Sequence, residues 1–70
     1  MRVNELKAEA VRKGLTIDEV AEKAGIKKTT MWRRIQDSGN FTIKEIESIA
    51  NTLDLSGIKI LEIFFDEKVF

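Results

Sequence analysis

The residues with the most chemical character lie between Thr16 and Gln36, where Lys27, Lys28, Arg33 and Arg34 are interleaved with Thr29, Thr30, Trp32 and Gln36. Such a set offers cations to phosphate, and a planar guanidinium, an amide and threonine methyls to base edges. It offers no nucleophile with a base beside it. The chain contains no cysteine and no histidine, which removes disulfides, thiolate nucleophiles, imidazole bases and nearly all transition-metal sites. The acidic group Asp18, Glu19 and Glu22 suits a helix dipole and solubility, because nothing near it in the sequence supplies a catalytic complement. The expectation is a protein that is not an enzyme and uses no cofactor, metal or small-molecule substrate.

To be useful, these side chains must stand on one outer face of a rigid element. With no proline and with glycines only at 14, 25, 39 and 57, the punctuation predicts five helices. A first runs from Val3 to Lys13, with Leu6, Ala10 and Val11 available for the core and Gly14 as its stop. Thr16-Ile-Asp-Glu19 is a capping box that opens a second, whose Ile17, Val20, Ala21 and Ala24 share a face and which Gly25 closes. A third spans Lys28 to Gln36. On an ideal helix Ile35 lies about 40° from Met31, Trp32 about 100°, Gln36 about 140°, Thr29 about 160° and Arg33 about 200°. Met31 and Ile35 therefore face the core, while Thr29, Arg33 and Gln36 point away from it. Lys28 lies nearer the buried side by angle, but its place in the first turn lets it reach outward.

Trp32 stands on the flank of this helix, and two roles are open to it: a half-buried packing residue, or a contact to deoxyribose or a thymine methyl. After a polar loop, Phe41 enters the core and Thr42-Ile-Lys-Glu45 forms a second capping box. The fourth helix presents Ile43, Ile46, Ile49, Ala50 and Leu53. A fifth starts near Ser56, and its Ile58, Ile60, Leu61, Ile63, Phe64 and Phe65 are apolar around more than one face, which implies a second partner besides the core. Residues 66 to 70 are compatible with a helical extension, a strand or a frayed end.

The chain has 70 residues, enough for one domain with a core assembled from short amphipathic elements. With 43% apolar and 34% charged residues it should be ordered. Its longest apolar run, Ile63 to Phe65, is far too short to span a bilayer, and its start lacks the apolar segment of a secretory signal, so a cytoplasmic setting is expected. Net charge is zero, but it is unevenly spread. Residues 1–26 carry five basic and five acidic side chains, residues 27–42 four and one, and residues 43–70 three and six. Positive charge is concentrated where a groove-entering helix would need it.

From about Leu6 to Phe65 the chain resembles the Cro/C1-type (XRE) helix-turn-helix family, in particular its small phage-type members. Lys13-Gly-Leu-Thr-Ile-Asp-Glu-Val-Ala-Glu-Lys-Ala-Gly-Ile26 resembles the first half of the family motif and Thr30-Met-Trp-Arg-Arg-Ile35 its recognition helix. Phe41 to Ala50 and Glu62-Ile-Phe-Phe65 are similar to the short members. The resemblance implies an all-α, compact five-helix bundle of the lambda-repressor-like type over residues 1–70, with a central helix-turn-helix and the third helix placed in the DNA major groove. By position, Lys28, Thr29 and Arg33 match the family's base contacts, Trp32 a neighbouring contact, and Thr16, Ile17 and Asn40 its phosphate contacts. There are departures. Ile17 replaces a frequent glutamine, leaving only its amide for phosphate. Lys27 replaces the usual helix cap, and Ala10 and Ile35 stand where many relatives pair an arginine with a glutamate.

Residues and resemblance together predict a sequence-specific transcriptional regulator of the phage or prophage repressor or Cro-like kind. Lys27, Lys28, Thr29, Trp32, Arg33 and Gln36 would meet double-stranded DNA, with Lys27, Lys28 and Arg34 serving the phosphates. A homodimer built on Ile60, Phe64 and Phe70 would occupy a near-palindromic site. The alternative is a protein-interaction module, such as an antitoxin, anti-repressor or adaptor, that uses the apolar C-terminal helix.

Overall fold

A computed structural model describes residues 1–37 and 40–65. Most of them lie in five α-helices: α1 (Val3–Arg12), α2 (Ile17–Ala24), α3 (Lys28–Gln36), α4 (Ile43–Leu53) and α5 (Gly57–Phe64). Among the described residues there is no strand, so the all-α bundle expected from the sequence is the fold. Helix α2 is the hub: it packs on α1, α3 and α4, and α5 closes the bundle against α1 and α4. One cluster of buried side chains joins them all. Leu6, Val20, Met31, Ile49, Leu53 and Ile63 are its largest fully enclosed members.

The helix starts follow the sequence closely. In α2 the Thr16 hydroxyl accepts from the Glu19 amide at 3.1 Å, and the Glu19 carboxylate accepts from the Thr16 amide at 2.9 Å. Thr42 and Glu45 repeat the arrangement at α4 with the same two distances, 3.1 and 2.9 Å. Ser56 caps α5 by accepting from the Lys59 amide at 3.2 Å. Helix α3 differs: Lys27 occupies its cap and supplies no side-chain hydrogen bond.

Three of the helix ends share one device. After α1, α2 and α4 the chain turns through a left-handed residue, Gly14, Gly25 and Asp54, at φ of 70°, 73° and 52°. The next residue then donates back into the helix, Leu15 to Ala10, Ile26 to Ala21 and Leu55 to Ala50, each at 2.9 Å. Leu15, Ile26 and Leu55 are thereby delivered onto the core, so each stop also anchors the following segment.

Several expected core or surface positions are corrected. Val11 is 74% exposed, and Glu9 is buried in its place; on an ideal helix Val11 lies about 140° from Leu6, whereas Glu9 lies about 60° from it on the other side. Glu9 keeps a charged partner, Arg12. Ile43 continues the α4 stripe by angle, yet it stands in the open first turn and is exposed. On α5 the two apolar faces are real, but the expected anchors belong to the inner one. Phe64 is a core residue, packed edge-on against Phe41 with ring centroids 5.7 Å apart, and Ile60 is partly buried against the same cluster. The outward face consists of Ile58, Leu61 and Phe65. Phe70 lies outside the described residues.

Backbone geometry makes opposite demands on two glycines. An added methyl group would meet nothing within 4 Å at Gly25 or at Gly57, but only Gly25 has a positive φ. Gly25→Ala should therefore lower stability by about 1 to 2 kcal/mol through left-handed strain alone. Gly57→Ala, at the first position of a helix, should raise it by about 0.5 kcal/mol. Urea titrations of the two variants check the opposite signs.

Candidate nucleic-acid interface

Helix α3 divides cleanly. Met31 and Ile35 are buried, whereas Lys27, Lys28, Thr29, Arg33 and Gln36 are exposed. For Met31, Ile35, Thr29, Arg33 and Gln36 this is the division expected from the 100° spacing, and Lys28, nearer the buried side by angle, reaches outward from the first turn as expected. Among the described residues, the side chains of these five make no hydrogen bond or ion pair, so their polar groups are turned to water. The short turn through Gly25 and Ile26 is held from beneath by the Ile26-to-Ala21 bond, and this fixes where α3 begins. Three cations and two polar groups thus stand on one rigid surface.

The start of α2 borders that surface. The indole Nε1–H of Trp32 donates to Asp18 Oδ1 at 2.7 Å, a bond that joins the middle of α3 to the first turn of α2. Thr16 is exposed there, its hydroxyl engaged as the cap acceptor, while the Ile17 side chain is buried. Trp32 is 39% exposed, so it packs and remains accessible at once. Its ring closes one end of an open, mostly apolar depression of about 380 Å³ whose walls include Val11, Leu15 and Ile17.

At the other end of α3, Arg34 has a different role from its neighbours. Its guanidinium donates to the Asn40 carbonyl at 2.9 Å, and its Nε stands 2.7 Å from Glu45 Oε1. The Nε–H is not aligned on that oxygen, so the second contact is an ion pair rather than a hydrogen bond. Both side chains are largely withdrawn from water, 23% and 19% exposed. Arg34, expected to serve phosphate, instead ties the end of α3 and the loop at Asn40 to the start of α4. Asn40 itself is exposed, and Arg34 holds its backbone in place.

The structure brings Thr16, Ile17 and Asp18 together with Trp32 around one depression, and holds the Asn40 carbonyl against Arg34 near the far end of α3. Sequence reasoning missed two participants. Asp18 is bonded across 14 positions to Trp32, and Glu45 serves both the α4 cap and Arg34. The local signal at each was a helix-start carboxylate, which carries no information about a distant partner.

Fold and site together define a small all-α domain that exposes one short basic helix. Comparison with protein-family models, curated proteins and solved structures finds no match for the chain. No helix among the described residues is long and apolar enough to cross a membrane.

The division of labour between adjacent arginines has a measurable consequence. Arg34→Ala should lower stability by about 1 to 2 kcal/mol, because it removes the donor of the Asn40 carbonyl and leaves the largely buried Glu45 carboxylate with only the Thr42 amide. Arg33→Ala, at a solvent-facing position, should stay within about 0.5 kcal/mol of the parent. Thermal unfolding of the pair checks this.

Proposed function

We propose that the chain is a sequence-specific DNA-binding transcriptional regulator of the Cro/C1 helix-turn-helix kind, acting as a phage or prophage repressor or Cro-like protein. One observation carries the reading: α3 buries only Met31 and Ile35, and Lys28, Thr29, Arg33 and Gln36, with Lys27 at its cap, are exposed and have no side-chain partner among the described residues. A helix presented in this way fits the width of the major groove. Arg33 is the strongest reader, since its guanidinium can donate twice to guanine; Thr29 and Gln36 lie on the same arc, and Trp32 offers a ring face at its edge. Lys27 and Lys28 meet phosphate at one end, the Thr16–Ile17 backbone lies along the strand, and Asn40 meets it at the other end.

Regulation by occupancy follows naturally for a module of this size. Two copies on half-sites about 34 Å apart would place both α3 helices on one face of the duplex. The outward stripe of α5, Ile58, Leu61 and Phe65, supports the pairing of copies and replaces the anchors expected from sequence. That same stripe also favours the second reading, a protein-interaction module. Salt separates the two, because duplex binding weakens steeply as counterion release is opposed and an apolar interface barely responds.

A binding-site selection from random oligonucleotides, followed by titration of the recovered sequence, tests the proposal. Arg33→Ala should weaken cognate binding by about 1 to 3 kcal/mol and relax one base position. Lys27→Ala should weaken binding to all sequences and flatten the salt dependence by about one unit of slope. Leu61→Glu should leave the fold intact and shift sedimentation towards the monomer. Selection that recovers no sequence, or identical effects of Arg33→Ala and Lys27→Ala, would overturn the assignment.

A further inference from the structure

Asp18 stands in the first turn of α2, where Thr16 and Glu19 already complete the cap without it. Its carboxylate instead accepts the indole proton of Trp32 at 2.7 Å. An indole has a single N–H to give, and a carboxylate is the strongest neutral-pH acceptor available to it. The bond therefore joins the outer sides of the two helices. Beneath it, Met31 and Ile35 hold α3 against the core.

Those two apolar contacts fix the depth of α3 more firmly than its roll, since apolar packing is not directional whereas a hydrogen bond is; Arg34, bonded to the Asn40 carbonyl, supplies a directional tie at the far end, and the Asp18–Trp32 bond supplies one at the middle, beside Arg33. With a helix diameter of about 10 to 12 Å including side chains, a roll of about 20° would carry a side-chain end by about 2 Å. That is more than a bidentate contact to a base edge tolerates. A carboxylate beside a surface that meets phosphate also opposes binding to every sequence alike. Fixing the roll, in contrast, contributes only where Arg33 meets its own base.

We propose that Asp18 is a positioning and specificity-determining residue that acts through the Trp32 indole: it fixes the roll of α3 at the middle of the helix, increasing discrimination between cognate and random duplex, while its charge opposes binding to both. This role rests on the duplex-binding reading above. Asp18 does not itself touch a base. Its effect is read in the ratio of cognate to random binding.

The experiment compares Asp18→Ala, Asp18→Asn, Trp32→Phe and the Asp18→Ala/Trp32→Phe double variant, titrated against the selected duplex and a scrambled one. Asp18→Ala should tighten random binding while lowering the cognate-to-random ratio about three- to tenfold, the effect of one lost hydrogen bond. Trp32→Phe should lower the ratio by a similar factor without tightening random binding, and the double variant should lose no more than either single one. Asp18→Asn, whose amide oxygen still accepts, should restore the ratio and keep the tighter overall binding. In the free protein, the Trp32 indole proton should be protected from exchange in the parent and in Asp18→Asn, and unprotected in Asp18→Ala. Ratios within about twofold of the parent for both Asp18→Ala and Trp32→Phe would overturn the role. Equal weakening of cognate and random binding by Trp32→Phe would also overturn it, by making the indole a plain contact. In either case a parent that still discriminates leaves the duplex reading standing, whereas a parent that binds no duplex removes both.

Discussion

Everything on the candidate surface depends on the burial of two side chains, Met31 and Ile35. Helix α3 has nine residues and no side-chain cap, and a helix of that length is not stable alone in water. Its sequence makes matters worse, with lysines at its start, where the helix dipole favours anions, and two threonines in its first turn. Burying a side chain of this size is worth about 1.5 to 3 kcal/mol. Two of them, seated on α2, hold the helix in place. Lys28, Thr29, Arg33 and Gln36 are then released from structural duty and left in water.

That dependence explains why α2 is the hub. Its inner face ends in the small residue Ala21, wholly buried, whose carbonyl also receives the Ile26 amide as the chain turns towards α3. The same residue thus belongs to the core and to the turn, and the direction of α3 is set by a backbone bond rather than by side-chain chemistry. At the far end Arg34 extends the control by holding the Asn40 carbonyl and the Glu45 carboxylate. Two polar fastenings, one at each end of the helix, frame the exposed residues between them.

The parts legible in the sequence were those governed by local rules. Capping boxes at Thr16 and Thr42, glycine stops at 14 and 25, and the 100° spacing of Met31, Ile35 and Arg33 involve residues a few positions apart, and the structure follows each. What was not legible depended on the neighbours of a face. The α5 sequence announced surplus apolar surface, but nothing in it distinguished Phe64, which meets Phe41, from Phe65, which meets water. Val11, expected in the core, is exposed and Glu9 is buried because the burial stripe of α1 is centred a residue or so away from where apolar content alone would put it. Asp54 carries the left-handed turn that glycine carries at the other two stops, and an aspartate by itself does not announce that geometry.

The free protein also holds charges it has not paired. Lys27 and Lys28 stand together at the start of α3, where the chain supplies no acidic residue in the first turn, so like charges crowd the end of a helix that would be steadier with an anion nearby. In contrast, α2 and α4 begin with their own carboxylates. The three-residue turn between α2 and α3 is therefore the place where local electrostatics and helix stability disagree most within the described chain. Consistency across levels is the rule for foldable sequences, and departures from it concentrate where a surface is kept ready for something outside the fold. A polyanion at this turn would remove the conflict by neutralising both lysines and satisfying the open amides of α3 together. The unrelieved charge of Lys27 and Lys28 and the outward arc of Arg33, Thr29 and Gln36 thus converge on the same proposed duplex surface.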